Sequence, residues 1–178
     1  MSFNRLLTVV LLSLVTSGCG YALAGRGSFL PDYIRTIGIP PIENTTSTLR
    51  VEQVLTEKVR TEFINRGRYT MVPTPSGAQA VLRGTITAFS AQPVGFTQQQ
   101  LASRYLITLT MRVEFTDATT NQVLWSNAAL TFREEYDLAT RGTAALEGAT
   151  FLDQESTAFD RIASDVARTV VTAILEAF

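Results

Sequence analysis

The sequence predicts an α+β fold, a two-layer sandwich in which two helices pack on one face of a mostly antiparallel, four-stranded sheet. Three observations predict it. Two segments, one ending at Asn65 and one closing the chain, repeat apolar residues at helical spacing on one side only. Between them, residues 107–115 alternate apolar and polar with strict period two, the mark of a half-buried strand. A chain of 178 residues that is 46% hydrophobic and 17% charged can bury a proper core. One-sided helices and a one-faced sheet are stable only when these faces cover each other.

The elements follow in the order β-α-β-β-β-β-α. Ile34 to Ile39 is a short β-rich run halted by Pro40-Pro41. Asn44 to Ser47 offers helix N-cap residues, and Val51, Val54, Leu55, Val59, Phe63 and Ile64 then form an apolar stripe that Gly67 closes. Arg50, Glu57, Lys58 and Arg60 lie off that stripe. Tyr69 to Val72 reads as a brief strand before a turn holding Pro73, Pro75 and Gly77. In Ala80 to Phe89, Leu82, Gly84, Ile86 and Ala88 share one face, with Arg83, Thr85 and Thr87 on the other.

A loop is expected over Pro93–Gln100. The next strand is the clearest, with Tyr105, Ile107, Leu109, Met111, Val113 and Phe115 on one side and Arg104, Thr108, Thr110, Arg112 and Glu114 on the other. Asp117 to Asn121 reads as a hairpin turn. The returning strand places Val123 and Trp125 at odd positions, then Leu130 and Phe132 at even ones. That change of parity predicts a β-bulge near Ser126–Ala129. Asp137 to Gly148 reads as a loop, and a long helix from Gln154 to Phe178 carries the stripe Phe159, Ile162, Ala163, Val166, Val170, Ile174 and Phe178.

The N-terminus has a different character. Arg5 precedes a run from Leu6 to Val15 broken only by Thr8 and Ser13, far short of the ~20 residues that cross a hydrocarbon core. It suits the apolar region of a secretory signal. Thr16-Ser17-Gly18-Cys19 follows and looks like a lipobox, in which the cysteine is alkylated with diacylglycerol and becomes the mature N-terminus. Thr16 stands where such motifs prefer leucine. Cys19 is the only cysteine, so an exported chain could form no internal disulfide, and lipidation would consume the lone thiol. Residues 1–18 are therefore expected to be a signal peptide, 19–33 a lipidated tether and 34–178 a single periplasmic domain.

Cleavage would remove Arg5 alone among the charged residues, leaving 14 basic against 16 acidic side chains, a net charge of about −2. Such a balance argues against nucleic acid, whose phosphates call for a basic excess. Histidine is absent, which excludes Ser-His-Asp and Cys-His nucleophile systems and most zinc sites. No cofactor or metal is expected.

An ordered set of strings resembles the LptE family of lipopolysaccharide-assembly lipoproteins. It runs from Cys19-Gly20-Tyr21 through Ile37-Gly38-Ile39-Pro40-Pro41-Ile42-Glu43-Asn44, Glu62-Phe63, Gly67-Arg68-Tyr69 and Leu82-Arg83-Gly84-Thr85-Ile86. It continues through Tyr105 to Phe115, Asp117, Val123-Leu124-Trp125-Ser126 and Glu135-Tyr136 to the closing helix. Thr120-Asn121 stands where the family usually has Thr-Gly, a change asparagine tolerates because it accepts positive φ. The resemblance implies a non-enzymatic outer-membrane lipoprotein. Its implied partners are an LptD-like β-barrel, which it helps to fold, and lipopolysaccharide, which it helps deliver to the outer leaflet.

Arg83, Arg104, Arg112 and Arg133, on the outward sheet face, are candidate contacts for an anionic sugar-phosphate, which arginine binds through two parallel donors. The blander reading, which the norm for single charges on a strand's polar face favours, is ordinary surface charges offset by Glu114 and Glu135. No basic position of the family aligns with them by motif. Glu134-Glu135 are neighbours on a strand and point to opposite faces, so they cannot flank one scissile bond. Trp125 has the parity of a core residue, and Asn44 reads as an N-cap. Two rival functions share this domain: a lipoprotein that activates a cell-wall synthase or joins another secretion assembly, and a glycan hydrolase working with two carboxylates.

Overall fold

A computed structural model describes residues 30–48, 50–98, 100, 102–137 and 147–176, with the backbone alone for 147–154. Its elements are β1 (Thr36–Gly38), β2 (Glu43–Asn44), α1 (Val51–Asn65), β3 (Thr70–Val72), β4 (Ala80–Phe96), β5 (Ala102–Asp117), β6 (Val123–Asp137) and α2 (Glu147–Glu176). The α+β class stands, with six strands in the sheet instead of four. Five run in the order β3-β1-β4-β5-β6, and β2 also pairs with β4. The long ladders β4–β5 and β5–β6 are antiparallel, while the short pairings of β1 with β3 and β4, and of β2 with β4, are parallel.

The extra strand lies where the sequence suggests helix N-cap residues. Glu43 and Asn44 pair with Thr85 and Ile86 on the same edge of β4 that β1 uses at Ala80 and Val81. Between these two short strands sits Pro40-Pro41, which supplies no N–H and interrupts the ladder. Helix α1 satisfies the gap. Arg60 donates two hydrogen bonds to the Ile39 carbonyl, at 2.6 and 3.1 Å, and the Ile42 N–H donates to the Thr56 hydroxyl at 2.9 Å. Asn44 is consequently not the cap. Its amide donates to the Thr48 carbonyl and the Glu52 carboxylate and accepts from Thr46, which shapes the connection into α1. The residue before the helix is Arg50, in left-handed backbone at φ 70° with no side-chain cap.

β4 continues through the expected loop to Phe96, and a register shift at Thr87 reverses its parity. Ala88 is therefore exposed, and Phe89 turns inward to meet Phe159 edge-on at 5.7 Å. The bulge expected in β6 is present: Met111 faces Leu130 and Val113 faces Asn127, so Ala128 and Ala129 together oppose Arg112. The Asn127 side-chain oxygen accepts the Ala129 N–H at 3.0 Å. The β5–β6 turn also forms as expected, with Asn121 at φ 56°.

One core joins both layers. Leu55, Val59 and Phe63 of α1 and Ile162, Val166, Val170 and Ile174 of α2 are buried with Ile37, Ile86, Ile107, Leu109, Met111, Val113 and Phe115 of the sheet. Helix α2 lies chiefly against α1 and β6 and reaches β5 only at its margin. Val54 of the α1 stripe is half-buried, and Ile64 is 57% exposed because the helix is ending there. The α2 helix begins at Glu147, inside the segment expected to be loop. The rest of that loop, Phe178 and everything before Leu30 lie outside the described residues.

Candidate functional surface

Both helices cover the same face of the sheet, so the opposite face of β4–β5–β6 has no partner layer among the described residues. Its rows can be read from the register. Arg83 lies across from Glu114, Thr85 from Arg112, Ala88 from Thr110, Ser90 from Thr108 and Gln92 from Leu106. On the far side Thr110 faces Thr131, Thr108 faces Arg133 and Leu106 faces Glu135. The Thr110 and Thr131 hydroxyls bond to each other at 3.2 Å, and the Thr87 hydroxyl donates to the Thr110 carbonyl at 3.2 Å. Small hydroxyl and methyl groups thus give this face a shallow centre at the Ala88–Thr110–Thr131 row, with Arg112 and Arg133 in the rows on either side.

The four outward arginines all stand on it and are all exposed, but they do not form one group. Arg104 and Arg112 are eight residues apart on β5, about 26 Å at strand rise, so a single phosphate cannot meet both. Arg104 is already engaged, donating to Asp137 at 3.0 Å with Glu135 at 3.6 Å, and these carboxylates raise its pKa further above the usual guanidinium value. Arg83 and Arg112 are diagonal cross-strand neighbours, a relation that sets their Cα atoms roughly 7–8 Å apart. Neither forms an ion pair among the described residues, nor does Arg133. Glu134 and Glu135 do face opposite ways, Glu134 bonding Arg161 of α2 at 3.3 Å and Glu135 meeting Arg104 on the outer face. Trp125 is half-buried and packs on the core. Cys19 lies outside the described residues.

Three features escape a reading by periodicity. The β4–β5 hairpin ends in exposed apolar side chains, Val94 at 46% and Phe96 at 60% exposure. A composition scan would have flagged it, since residues 84–103 carry no charged side chain. A second is the buried Asp117, which accepts the Thr119 and Thr120 N–H groups and the Tyr33 hydroxyl. The Tyr33 hydrogen bond, more than any other contact, holds the Asp117 carboxyl below its ordinary 3.8, while the Tyr33 hydroxyl is pushed up. The third is a pocket of about 180 Å³ beside β1 and β3, lined by Leu30, Pro31, Asp32, Ile34, Arg35, Arg68 and Tyr69.

Comparison with known proteins bears on what such a surface serves. The fold recurs in a minor lipoprotein from Acinetobacter baumannii at TM-score 0.52 and 15% identity, covering 83% of this chain and 95% of that one. It recurs in lipoprotein B from Nitrosomonas europaea at TM-score 0.52 and 16% identity, covering 88% and 90%. At these identities the likeness is one of fold. None of the curated proteins matches the chain in sequence. The family model described as LptE, lipopolysaccharide-assembly, matches residues 34–174.

Proposed function

The chain belongs to the LptE family, whose role is in lipopolysaccharide assembly, and on that premise we propose that it is a non-enzymatic outer-membrane lipoprotein working with an LptD-like β-barrel. In this reading residues 1–18 are a signal peptide, Cys19 carries the lipid, residues 19–33 are the tether and the domain acts beneath or within the barrel. The observation that supports it best is the outer face of β4–β5–β6, which no described element covers. A long sheet whose described helices lie on one side, with a threonine-rich surface on the other and exposed Val94 and Phe96 at the β4–β5 hairpin, offers a face that another molecule can cover.

The anionic sugar-phosphate of lipopolysaccharide belongs, in this proposal, to Arg83 and Arg112, the diagonal pair with no carboxylate bound among the described residues. Arg104 and Arg133, nearer the hairpin end, face the lipid or the barrel wall singly. Attachment falls, in this proposal, to Cys19 of the lipobox-like string Thr16-Ser17-Gly18-Cys19.

Affinity purification of the tagged native protein from detergent-solubilised membranes tests the reading. A β-barrel of the lipopolysaccharide-transport class is expected in the eluate, and depletion of this protein should leave that barrel misassembled and lower surface lipopolysaccharide. Recovery of a cell-wall synthase in its place would transfer the protein to the rival assembly. Cys19→Ala should remove label from a fatty-acid analogue; equal labelling of variant and wild type would refute the anchor.

A further inference from the structure

The pocket beside β1 and β3 stands apart from the outer sheet face and has a basic character of its own. Arg35 and Arg68, both exposed, line it. Neither forms an ion pair among the described residues. The backbone sets the two side by side. The Arg35 N–H donates to the Gln79 side chain at 2.7 Å, and the Arg35 carbonyl accepts the Thr70 N–H at 2.8 Å, so β1 and β3 begin in register next to Arg68-Tyr69.

The opposite wall is equally fixed. Leu30 and Ile34 are each only 3% exposed, the Ile34 N–H donates to the Pro31 carbonyl at 2.8 Å, and Tyr33 is held by Asp117. Residues 20–29 alone separate this wall from Cys19. Fully extended, that length of chain reaches at most about 38 Å. A lipid on Cys19 would therefore confine the pocket within that distance of the leaflet that holds it, which raises its effective concentration at the headgroups.

We infer that the Arg35–Arg68 pocket docks the domain on the anchoring leaflet by taking the phosphate of an anionic phospholipid headgroup. Arginine suits this ligand because its planar donors match phosphate oxygens in pairs. Leu30 and Ile34 give the pocket an apolar floor beside the charge, and Asp32 on its rim moderates the attraction. The inference rests on the lipidation of Cys19 proposed above. Its consequence is an orientation: the β1–β3 end faces the anchoring membrane, and the β4–β5 hairpin points away from it.

The test uses the mature lipidated protein in vesicles of pure phosphatidylcholine and in vesicles with a third phosphatidylglycerol. Flotation reads the anchor, and hydrogen exchange of peptides covering residues 31–36 and 66–71 reads docking. Each arginine at an anionic surface is worth a factor of roughly five in occupancy. Slower exchange is expected in the anionic vesicles only, reduced about five-fold by Arg35→Gln or Arg68→Gln and strengthened by Asp32→Asn. Flotation with no lipid-dependent protection would overturn the pocket while leaving the anchor intact; failure of the wild type to float would overturn the anchor. Equal protection in both vesicles, or protection by millimolar inorganic phosphate without vesicles, would also overturn the headgroup assignment. The Asp32→Asn variant adds no bulk and removes no core contact, so its gain separates docking from damage to the fold.

Discussion

Replacing Val166 with aspartate should break the contact between the two layers at a point fixed by the α2 stripe. Val166 is 0% exposed and lies in the cluster that joins both helices to the sheet. Losing its buried side chain removes roughly 1.5–3 kcal/mol of apolar burial. Placing a carboxyl there with no partner adds several more, either as desolvated charge or as the cost of keeping the group protonated. The expected loss is at least about 4 kcal/mol, a large share of the ~5–15 kcal/mol that stabilises a typical domain. In a thermal melt this is a drop of roughly 8–16 °C for a chain of this size. The loss has a pH signature. A buried carboxyl has a raised folded-state pKa, so the variant's deficit should shrink below about pH 4, where the group is also neutral in the unfolded chain, and be largest near neutrality. Arg168→Asp, two positions along with a side chain 69% exposed, is the control and should cost no more than about 1 kcal/mol, from losing its pair with Asp165 and setting two carboxylates side by side. A Val166→Asp melt within 2 °C of wild type would mean that α2 does not present this face to the core.

Other expectations concern single contacts. Gly38→Ala should cost about 1–3 kcal/mol in urea unfolding, because the added Cβ would stand 2.7 Å from the Thr74 carbonyl and 3.0 Å from the Ala78 Cβ. The depressed Asp117 carboxyl contributes stability above its unfolded pKa near 3.8 and loses it as pH falls through its lower folded value. Asp117→Asn should therefore be less stable than wild type at pH 7, with the gap closing below about pH 4; a gap independent of pH would show that Asp117 acts only as a neutral acceptor. Val94→Ser with Phe96→Ser should leave the melting temperature unchanged, since both side chains are largely exposed, yet lower recovery of the barrel partner in detergent pull-downs.

What the sequence discloses here depends on whether one periodicity persists. The β6 bulge could be located because apolar residues on both sides of it change parity, leaving a trace in the spacing of Trp125 and Leu130. The register shift at Thr87 leaves no such trace, because Ala88 is small enough to read as inward or outward. Pro93 signals a loop by its missing N–H, but in that part of β4 only β5 pairs with it among the described residues. The proline can then turn its nitrogen to the open edge and leave the ladder intact. β2 is two residues long and has no period at all; its pairing comes from Thr56 and Arg60 of α1 holding the chain on either side of Pro40-Pro41. The outward arginines and the separation of Arg104 from Arg112 along β5 are legible in the sequence, but the capture of Arg104 by Asp137 belongs to the β5–β6 ladder register, which no single strand reveals.

The mixed sheet also imposes an order of assembly. β4, β5 and β6 follow one another as a meander, so their contacts close short loops and carry little entropic cost. The parallel pairings of Ile37 with Ala80 and Met71 require chain segments from both sides of α1 to arrive later. We therefore expect the meander to dominate the folding transition state, with Ile107→Val slowing folding and Ile37→Val mainly hastening unfolding in stopped-flow chevrons. Equal effects of the two substitutions on the folding limb would contradict that order. Until β1 and β2 dock, the meander has two bare edges, and that interval is when a newly emerged chain is most open to pairing with a second one.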